Sequence, residues 1–328
     1  MTILVTGGAG YIGSHMIYTL LAGGERVVVL DNLSTGFDWA IAKGVPLVRG
    51  ETGDQALVAK LIKEHGVQSI IHFAASIVVP DSVSDPLGYY KNNTVNSRAL
   101  IETAVQTGVR DFIFSSTAAV YGDPVRVPVG EDDATIPMSP YGSSKLMTEI
   151  MLRDASAAHG LRHVILRYFN VAGADPKQRT GQSTPMATHL IKVACEAALG
   201  KRSKLEVFGT DYPTPDGTCI RDYIHVSDLV RAHSAALGYL RNGGASTTLN
   251  CGYGHGYSVL DVIDTVKRVS KADFKVDRSG RRAGDPPQLV AASDRARAML
   301  GWKPQYDDLT TIVTHALAWE RKLMARNS

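Results

Sequence analysis

Short apolar runs alternate along the chain with longer stretches in which apolar residues recur at helical spacing. Ile3–Thr6, Arg26–Leu30, Ser69–Phe73, Asp111–Ser115 and His163–Arg167 read as strands, most of them rich in Val and Ile and bounded by Gly, Asp or Asn. Tyr11–Ala22, Gln55–His65, Asn93–Thr107 and Tyr141–His159 read as the helices between them. Alternating strand and helix, with strands that are apolar throughout, predicts an α/β fold: a doubly wound parallel sheet buried on both faces. After about Asn170 the texture changes. Pro176, Pro185, Pro213 and Pro215 punctuate polar loops, and helical stretches at His189–Leu199, Val259–Val269 and Leu309–Lys322 mix with short strands. A smaller mixed α/β region is expected there.

The first strand runs into Thr6-Gly-Gly-Ala-Gly-Tyr-Ile-Gly13, which opens the first helix. Gly7, Gly10 and Gly13 give the G-x-x-G-x-x-G spacing of a dinucleotide turn. Glycine allows the backbone to come close to a pyrophosphate, and the helix N-terminus directs its positive end at the phosphates. This makes the expected sheet Rossmann-type. The second strand ends on Asp31, 18 residues after Gly13. A carboxylate there accepts from ribose hydroxyls and repels a 2′-phosphate, and no Arg follows Asn32 to welcome one, so the reading is NAD and not NADP. Phe73, Ala74 and Ala75 close the next strand with small residues, which suits a close cofactor. His72, inside that apolar run, reads as a satisfied core histidine.

Composition narrows the classes. The chain has 328 residues, room for about two domains at ~150 residues each. A hydrophobic share of 44% and a charged share of 20% exclude a disordered chain. A net charge of +3 is too small for a nucleic-acid binder, and the pairs Lys201-Arg202 and Arg281-Arg282, compatible with a small anionic ligand, read first as solvated faces when each is taken alone. No apolar run approaches the ~20 residues that span a bilayer. The chain opens directly into Ile3-Leu-Val5 with no signal peptide, so a cytoplasmic location is expected. Cys195, Cys219 and Cys251 read as free thiols, and no metal site is expected.

The chemistry centres on Tyr141-Gly-Ser-Ser-Lys145. The i,i+4 spacing puts phenol and ammonium on one helix face. A base for alcohol oxidation works best near pH 7, whereas a free phenol titrates near 10. The difference corresponds to about 4 kcal/mol, which one cation at about 4 Å supplies at an effective dielectric near 20. Lys145 and an oxidised nicotinamide ring are expected to share that task. Upstream, Ser115, Ser116 and Thr117 end a strand where ligands bind in open α/β sheets. Ser116 or Thr117 is expected to hold a substrate hydroxyl beside Tyr141.

Together these motifs resemble the extended short-chain dehydrogenase/reductase family, over nearly the whole chain and most closely its UDP-sugar 4-epimerase branch. Leu4–His15, Leu30–Leu33, Tyr89–Asn93, Ser139–Leu146, Leu166–Asn170 and above all Phe208–Val226 carry the resemblance. It implies interconversion of UDP-galactose and UDP-glucose through transient oxidation at C4, with NAD tightly held, Tyr141 as base, Lys145 as its partner and Thr117 beside the reacting hydroxyl. It implies cofactor contacts from Tyr11, Ile12, Asp31, Asn32, Phe73, Ala74 and Asn93, with Glu51 at the adenine side, and also from Ser115, Tyr168 and the Tyr141/Lys145 pair. Substrate contacts fall on Asn170, His189, Phe208, Arg221, Arg282 and Asp285. The implied partner is a UDP-sugar, and the implied assembly a homodimer through the helices near Asn93–Thr107 and Tyr141–His159. The NAD-binding domain is expected at 1–170 with a return at about 221–240, and the substrate domain at 171–220 and about 241–328.

The chain departs from the family pattern at Glu51 (often Asp), Ile77 (often Lys), His189 (commonly Asn) and Leu289 (often Tyr). Leu289 leaves open a UDP-N-acetylhexosamine or UDP-pentose substrate. A dehydratase is disfavoured because Ala118-Ala119 replaces the acid–base pair that elimination needs. A non-catalytic NAD sensor is the remaining alternative, and it would not need the intact Tyr141/Lys145 pair.

Overall fold

The computed structural model of the chain describes residues 1–282 and 284–327. Its strands are β1 (Thr2–Thr6), β2 (Arg26–Asp31), β3 (Leu47–Arg49), β4 (Val67–His72), β5 (Asp111–Thr117), β6 (Arg162–Tyr168), β7 (Asn170–Ala172), β8 (Leu205–Phe208), β9 (Ile220–Arg221), β10 (Tyr223–His225), β11 (Thr247–Cys251), β12 (Tyr257–Ser258), β13 (Val276–Ser279) and β14 (Gln288–Leu289). Seven of them form one parallel sheet in the order β11-β6-β5-β4-β1-β2-β3. The order reverses between β1 and β4, and the ends of β1, β2 and β4 lie side by side there, with Thr6 opposite both Leu30 and His72. A crevice at such a reversal is where open α/β sheets bind ligands.

The helices are α1 (Tyr11–Ala22), α2 (Gln55–His65), α3 (Val79–Ser84), α4 (Pro86–Tyr89), α5 (Asn96–Gln106), α6 (Pro140–His159), α7 (Leu190–Ala198), α8 (Val226–Arg241), α9 (Val259–Ser270), α10 (Asp294–Leu300) and α11 (Leu309–Asn327). A π-helical stretch, Tyr90–Val95, joins α4 to α5. Strand side chains alternate between two cores, which is why these strands read as continuous apolar runs. Ile3 and Val5 face the core shared with Ile17 and Leu20 of α1 and Leu229 of α8. Leu4 faces the other, with Leu61 of α2, Leu100 of α5 and Leu152 of α6. No helix among the described residues is long and apolar enough to cross a membrane.

The return to the main sheet runs further than about residue 240. β11 pairs with β6 from Thr247 opposite Val164 to Cys251 opposite Tyr168, so this strand, expected in the substrate part, is the edge of the main sheet. Its five residues carry little periodic signal of their own. They are a strand because β6 offers an unpaired edge. The smaller sheets pair β13 with β8, β10 with β7, and β9 with both β12 and β14.

Five histidines are buried in this framework, and burial depresses each: His15, His163 and His233 to about 4, His72 to about 3, and His225 well below its ordinary value. His72 is the satisfied core histidine expected, bonded to Thr6 Oγ1 at 2.6 Å and Ser97 Oγ at 2.8 Å. The ordinary histidine value is 6.5. Above it neither the folded nor the unfolded chain protonates these rings, and their contribution to stability is complete. Below it the unfolded chain takes up protons that the folded chain refuses. Stability is therefore lost as pH falls from 6.5 towards 4, by up to about 1.4 kcal/mol per pH unit for each ring. Thermal unfolding followed at a series of pH values is expected to show a midpoint that drops steeply below pH ~6. A midpoint level down to pH ~4.5 contradicts the burial of these rings as neutral groups.

Candidate active site

The glycine turn is built for close approach. Gly7 has φ +69°, and a Cβ there would lie 2.6 Å from the Ala74 nitrogen. A Cβ on Gly13 would lie 2.1 Å from the Gly7 carbonyl oxygen. No side chain caps the N-terminus of α1, so its polarity is left for a ligand. Asp31 is buried and braces the turn: Oδ2 accepts from Ala9 N at 2.9 Å and Oδ1 from Leu33 N at 2.8 Å. Asn32 Nδ2 donates to Glu51 Oε1 at 3.1 Å, which places Glu51 beside the end of β2. A cradle that admits no Cβ, with a carboxylate across it and an uncapped helix behind, fits a dinucleotide.

Other residues expected at the cofactor serve the scaffold with their side chains. The Tyr11 hydroxyl donates to Gly173 O at 2.6 Å. Ile12 packs on the main core. The Phe73 ring lies 4.9 Å from that of His233, and Ala74 and Ala75 follow it. Asn93 Oδ1 accepts from Ser76 N at 2.8 Å, and its Nδ2 donates to Ser76 O and Ser144 Oγ, so it ties the loop after β4 to α6.

α6 starts sharply because Ser139 Oγ accepts from Gly142 N and Pro140 fills the first turn. That start sets Tyr141 against the end of β5, where Thr117 is the side chain whose hydroxyl acts on the phenol. Lys145, one turn on, donates from Nζ to Ser115 O at 3.0 Å and lies 5.0 Å over the Phe114 ring. Tyr141 is 8% exposed and Lys145 3%. Burial raises Tyr141 to about 12 and lowers Lys145 to about 7. Lys145 by itself does not draw the phenol down towards neutrality in this arrangement. Dry surroundings disfavour both charges, and the ammonium is turned to a backbone carbonyl.

Of the two hydroxyls left open, Thr117 faces Tyr141. Ser116 is corrected: it is fully buried, and its Oγ donates to Glu149 Oε1 at 2.5 Å. Neighbouring strand residues point to opposite faces, so the two hydroxyls cannot both reach one ligand. Ser115 Oγ donates to the Tyr168 hydroxyl at 2.7 Å, which puts that phenol beside the same strand end.

The residues expected at the substrate fall into two groups. Arg221 Nη2 lies 3.5 Å from Asp285 Oδ1, and the Arg282 guanidinium sits 3.7 Å over the Phe208 ring. Leu289 of β14 is opposite Arg221 of β9 and packs with Ala118, Val120 and Tyr121, directly after Thr117. Asn170 and His189 instead line an open cleft of about 440 Å³ with Gln182, Lys192, Tyr223 and Trp319. Gln182 Nε2 donates to His189 Nδ1 at 2.7 Å. Tyr223 and Gln182 were not picked out from the sequence, and nothing in their local pattern marks them. Glu149 was also missed. It continues the one-turn step from Tyr141 to Lys145, but that spacing does not show that it is buried; its partner Arg167 on β6 does.

The fold and this site define an NAD-dependent enzyme of the epimerase type. The chain belongs to the NAD dependent epimerase/dehydratase family, which it matches over residues 3–252. It is 59% identical to the UDP-glucose 4-epimerase of Azospirillum brasilense over 321 residues, 98% of this chain and 92% of that one. It is similar to the solved UDP-Glc/GlcNAc 4-epimerase of Campylobacter jejuni, with 50% identity, a TM-score of 0.86 and 98% and 99% of the two chains covered. It is also similar to the Bifidobacterium longum UDP-glucose 4-epimerase solved with NAD+ and UDP, with 34% identity, a TM-score of 0.93 and 98% of each chain covered.

Proposed function

We propose that the chain interconverts UDP-galactose and UDP-glucose by inverting C4, with NAD as resident cofactor. The observation that carries this reading is the buried Tyr141 set beside Thr117 at the end of β5, with Lys145 one turn behind. Tyr141 takes the proton of the sugar 4-hydroxyl and returns it after inversion, and Thr117 orients that hydroxyl. Gly7, Gly10, Gly13 and Asp31 hold the dinucleotide. When bound, NAD supplies the acceptor for the C4 hydrogen and, in its oxidised form, a positive charge that favours the phenolate. Ala118-Ala119 leaves the site without the acid and base of an elimination.

Arg221 and Arg282, with Asn170, His189, Phe208 and Asp285, are assigned to the UDP moiety, since guanidinium groups match phosphate oxygens. The UDP group anchors the substrate while the sugar is held loosely enough to turn over. A homodimer through α5 and α6 is supported by the exposed Val95, Met147 and Ile150 on these elements and the stretch leading into them. A cytoplasmic location is part of the same reading.

The test is to supply UDP-galactose and, separately, UDP-N-acetylgalactosamine and to follow each 4-epimer by NMR. Faster conversion of UDP-galactose is expected. Leu289 in place of a larger phenol favours one second reading, the N-acetylhexosamine, and equal or faster conversion of that substrate would establish it. If neither sugar reacts with NAD supplied, the hexose assignment fails, and pentoses or a sensor role take its place.

A further inference from the structure

Tyr141, Lys145 and Glu149 follow one another at one-turn spacing on α6, with exposures of 8%, 3% and 0%. The mechanism above uses the first two. Glu149 is held by two side chains, Ser116 and Arg167. Its Oε1 accepts from Ser116 Oγ at 2.5 Å and from Arg167 Nε at 3.0 Å, and its Oε2 from Arg167 Nη2 at 2.6 Å. Arg167, on β6, is itself 3% exposed, and its Nη1 donates to the Tyr121 hydroxyl at 3.0 Å. Tyr121 in turn donates to Asn250 Oδ1 at 2.7 Å. A buried ion pair adds little to stability over an apolar pair of the same shape. Holding the fold together is therefore a poor account of this one.

Its placement suggests a better one. Lys145 Nζ and the Glu149 carboxylate are tied to consecutive residues of β5, Ser115 and Ser116. We propose that Glu149 is a positioning residue whose fixed carboxylate, one turn behind Lys145, keeps that lysine charged for its work on Tyr141. This rests on the assignment of Tyr141 and Lys145 as the chemical pair.

The surroundings support it. Burial lowers Lys145 to about 7, and the negative charge of Glu149 opposes that fall. From β4, His72 faces the ammonium as a neutral ring, lowered to about 3 by burial and by Lys145 itself. From β5 come the Ser115 carbonyl and the Phe114 ring. Tyr141, on the same helix, is held neutral by burial. Arg167 lies behind Glu149 and contacts the Glu131 carbonyl at 3.3 Å and Tyr121. Among the described residues that face Lys145, Glu149 is the one that supplies a negative charge.

The experiment measures kcat/KM against pH for the NAD-loaded enzyme with UDP-galactose. Glu149→Gln removes the charge and keeps the shape. A neutral Lys145 supports the phenolate less, so the acidic limb is expected to move up by about one pH unit, with about tenfold lower kcat/KM below the limb and near-normal values above it. Glu149→Gln leaves Arg167 as a bare buried cation and can fail to fold on that account. The double variant Glu149→Gln/Arg167→Gln removes both charges and is expected to move the limb in the same direction. Glu149→Asp keeps the charge and is expected to keep the limb. A limb that stays in place in the double variant, with any loss equal at every pH, overturns the proposal and leaves Glu149 structural. Tyr141→Phe, assayed alongside, separates the two levels: wild-type activity in that variant sinks the assignment of the pair itself, whereas an inactive Tyr141→Phe with an unmoved limb sinks only the role of Glu149.

Discussion

Tyr141→Phe is expected to lower kcat about a thousandfold while NAD stays bound, since a positioned acid–base group contributes roughly 10²–10⁴ in rate. The substitution deletes one oxygen. The ring, 8% exposed, keeps its packing, and Thr117 keeps a partner because its Oγ1 also accepts from Ala119 N at 3.1 Å. Losing the polar contact of one hydroxyl costs the fold at most about 1 kcal/mol. Rate and cofactor content should therefore separate. NMR of the UDP-galactose to UDP-glucose conversion gives the first, and the absorbance of nucleotide released on denaturation gives the second. A fall of less than about tenfold would remove Tyr141 as the base, because a misplaced water alone could then replace it. Loss of NAD together with the rate would instead mean that the phenol is part of the cofactor seat.

The cofactor half was legible because its signals are local. A strand buried on both faces must be apolar throughout, and β1, β2, β4, β5 and β6 declare themselves in that way. A turn that excludes Cβ atoms can be written only in glycine, so Gly7 and Gly13 mark it without reference to the rest of the molecule. β11 was not legible, since its strand state comes from the edge of β6 far away in sequence. Ser116 and Thr117 were equivalent as letters. Which one faces the crevice depends on the pleat of β5, and that phase is set by packing. The Glu149–Arg167 pair was hidden for a further reason. A carboxylate on a helix normally reads as solvated, and only the partner on β6 makes burial tolerable. On the substrate side, Arg221 and Leu289 come from short strands whose pairing local sequence does not state. Their neighbourhood was therefore expected from resemblance and not from periodicity.

Gly13→Ala is expected to abolish NAD retention and to destabilise the folded chain. The added Cβ would sit 2.1 Å from Gly7 O and 2.7 Å from Gly8 Cα, both backbone atoms, at distances real Cβ atoms essentially never show. Neither neighbour can yield freely. Gly7 N is bonded to Leu30 O at 2.9 Å, Gly10 N to Gly7 O at 3.1 Å, and Ala9 O accepts from Phe37 N at 3.0 Å. Asp31 holds Ala9 N from the other side. To admit the methyl group, α1 must move away from the turn, which separates the helix end from the place where the phosphates would lie. Overpacking of this kind costs about 1–3 kcal/mol or more, so the melting midpoint should fall even without cofactor. Gly238→Ala is the matched control. It lies inside α8 with nothing within 4 Å of its would-be Cβ, and it should raise stability slightly, by about 0.5–1 kcal/mol. The comparison separates crowding at the turn from the general effect of replacing glycine in a helix. A Gly13→Ala protein that purifies with its full complement of NAD would mean that the turn yields despite its four anchors, and that the close approach of α1 to Gly7 is not what seats the dinucleotide.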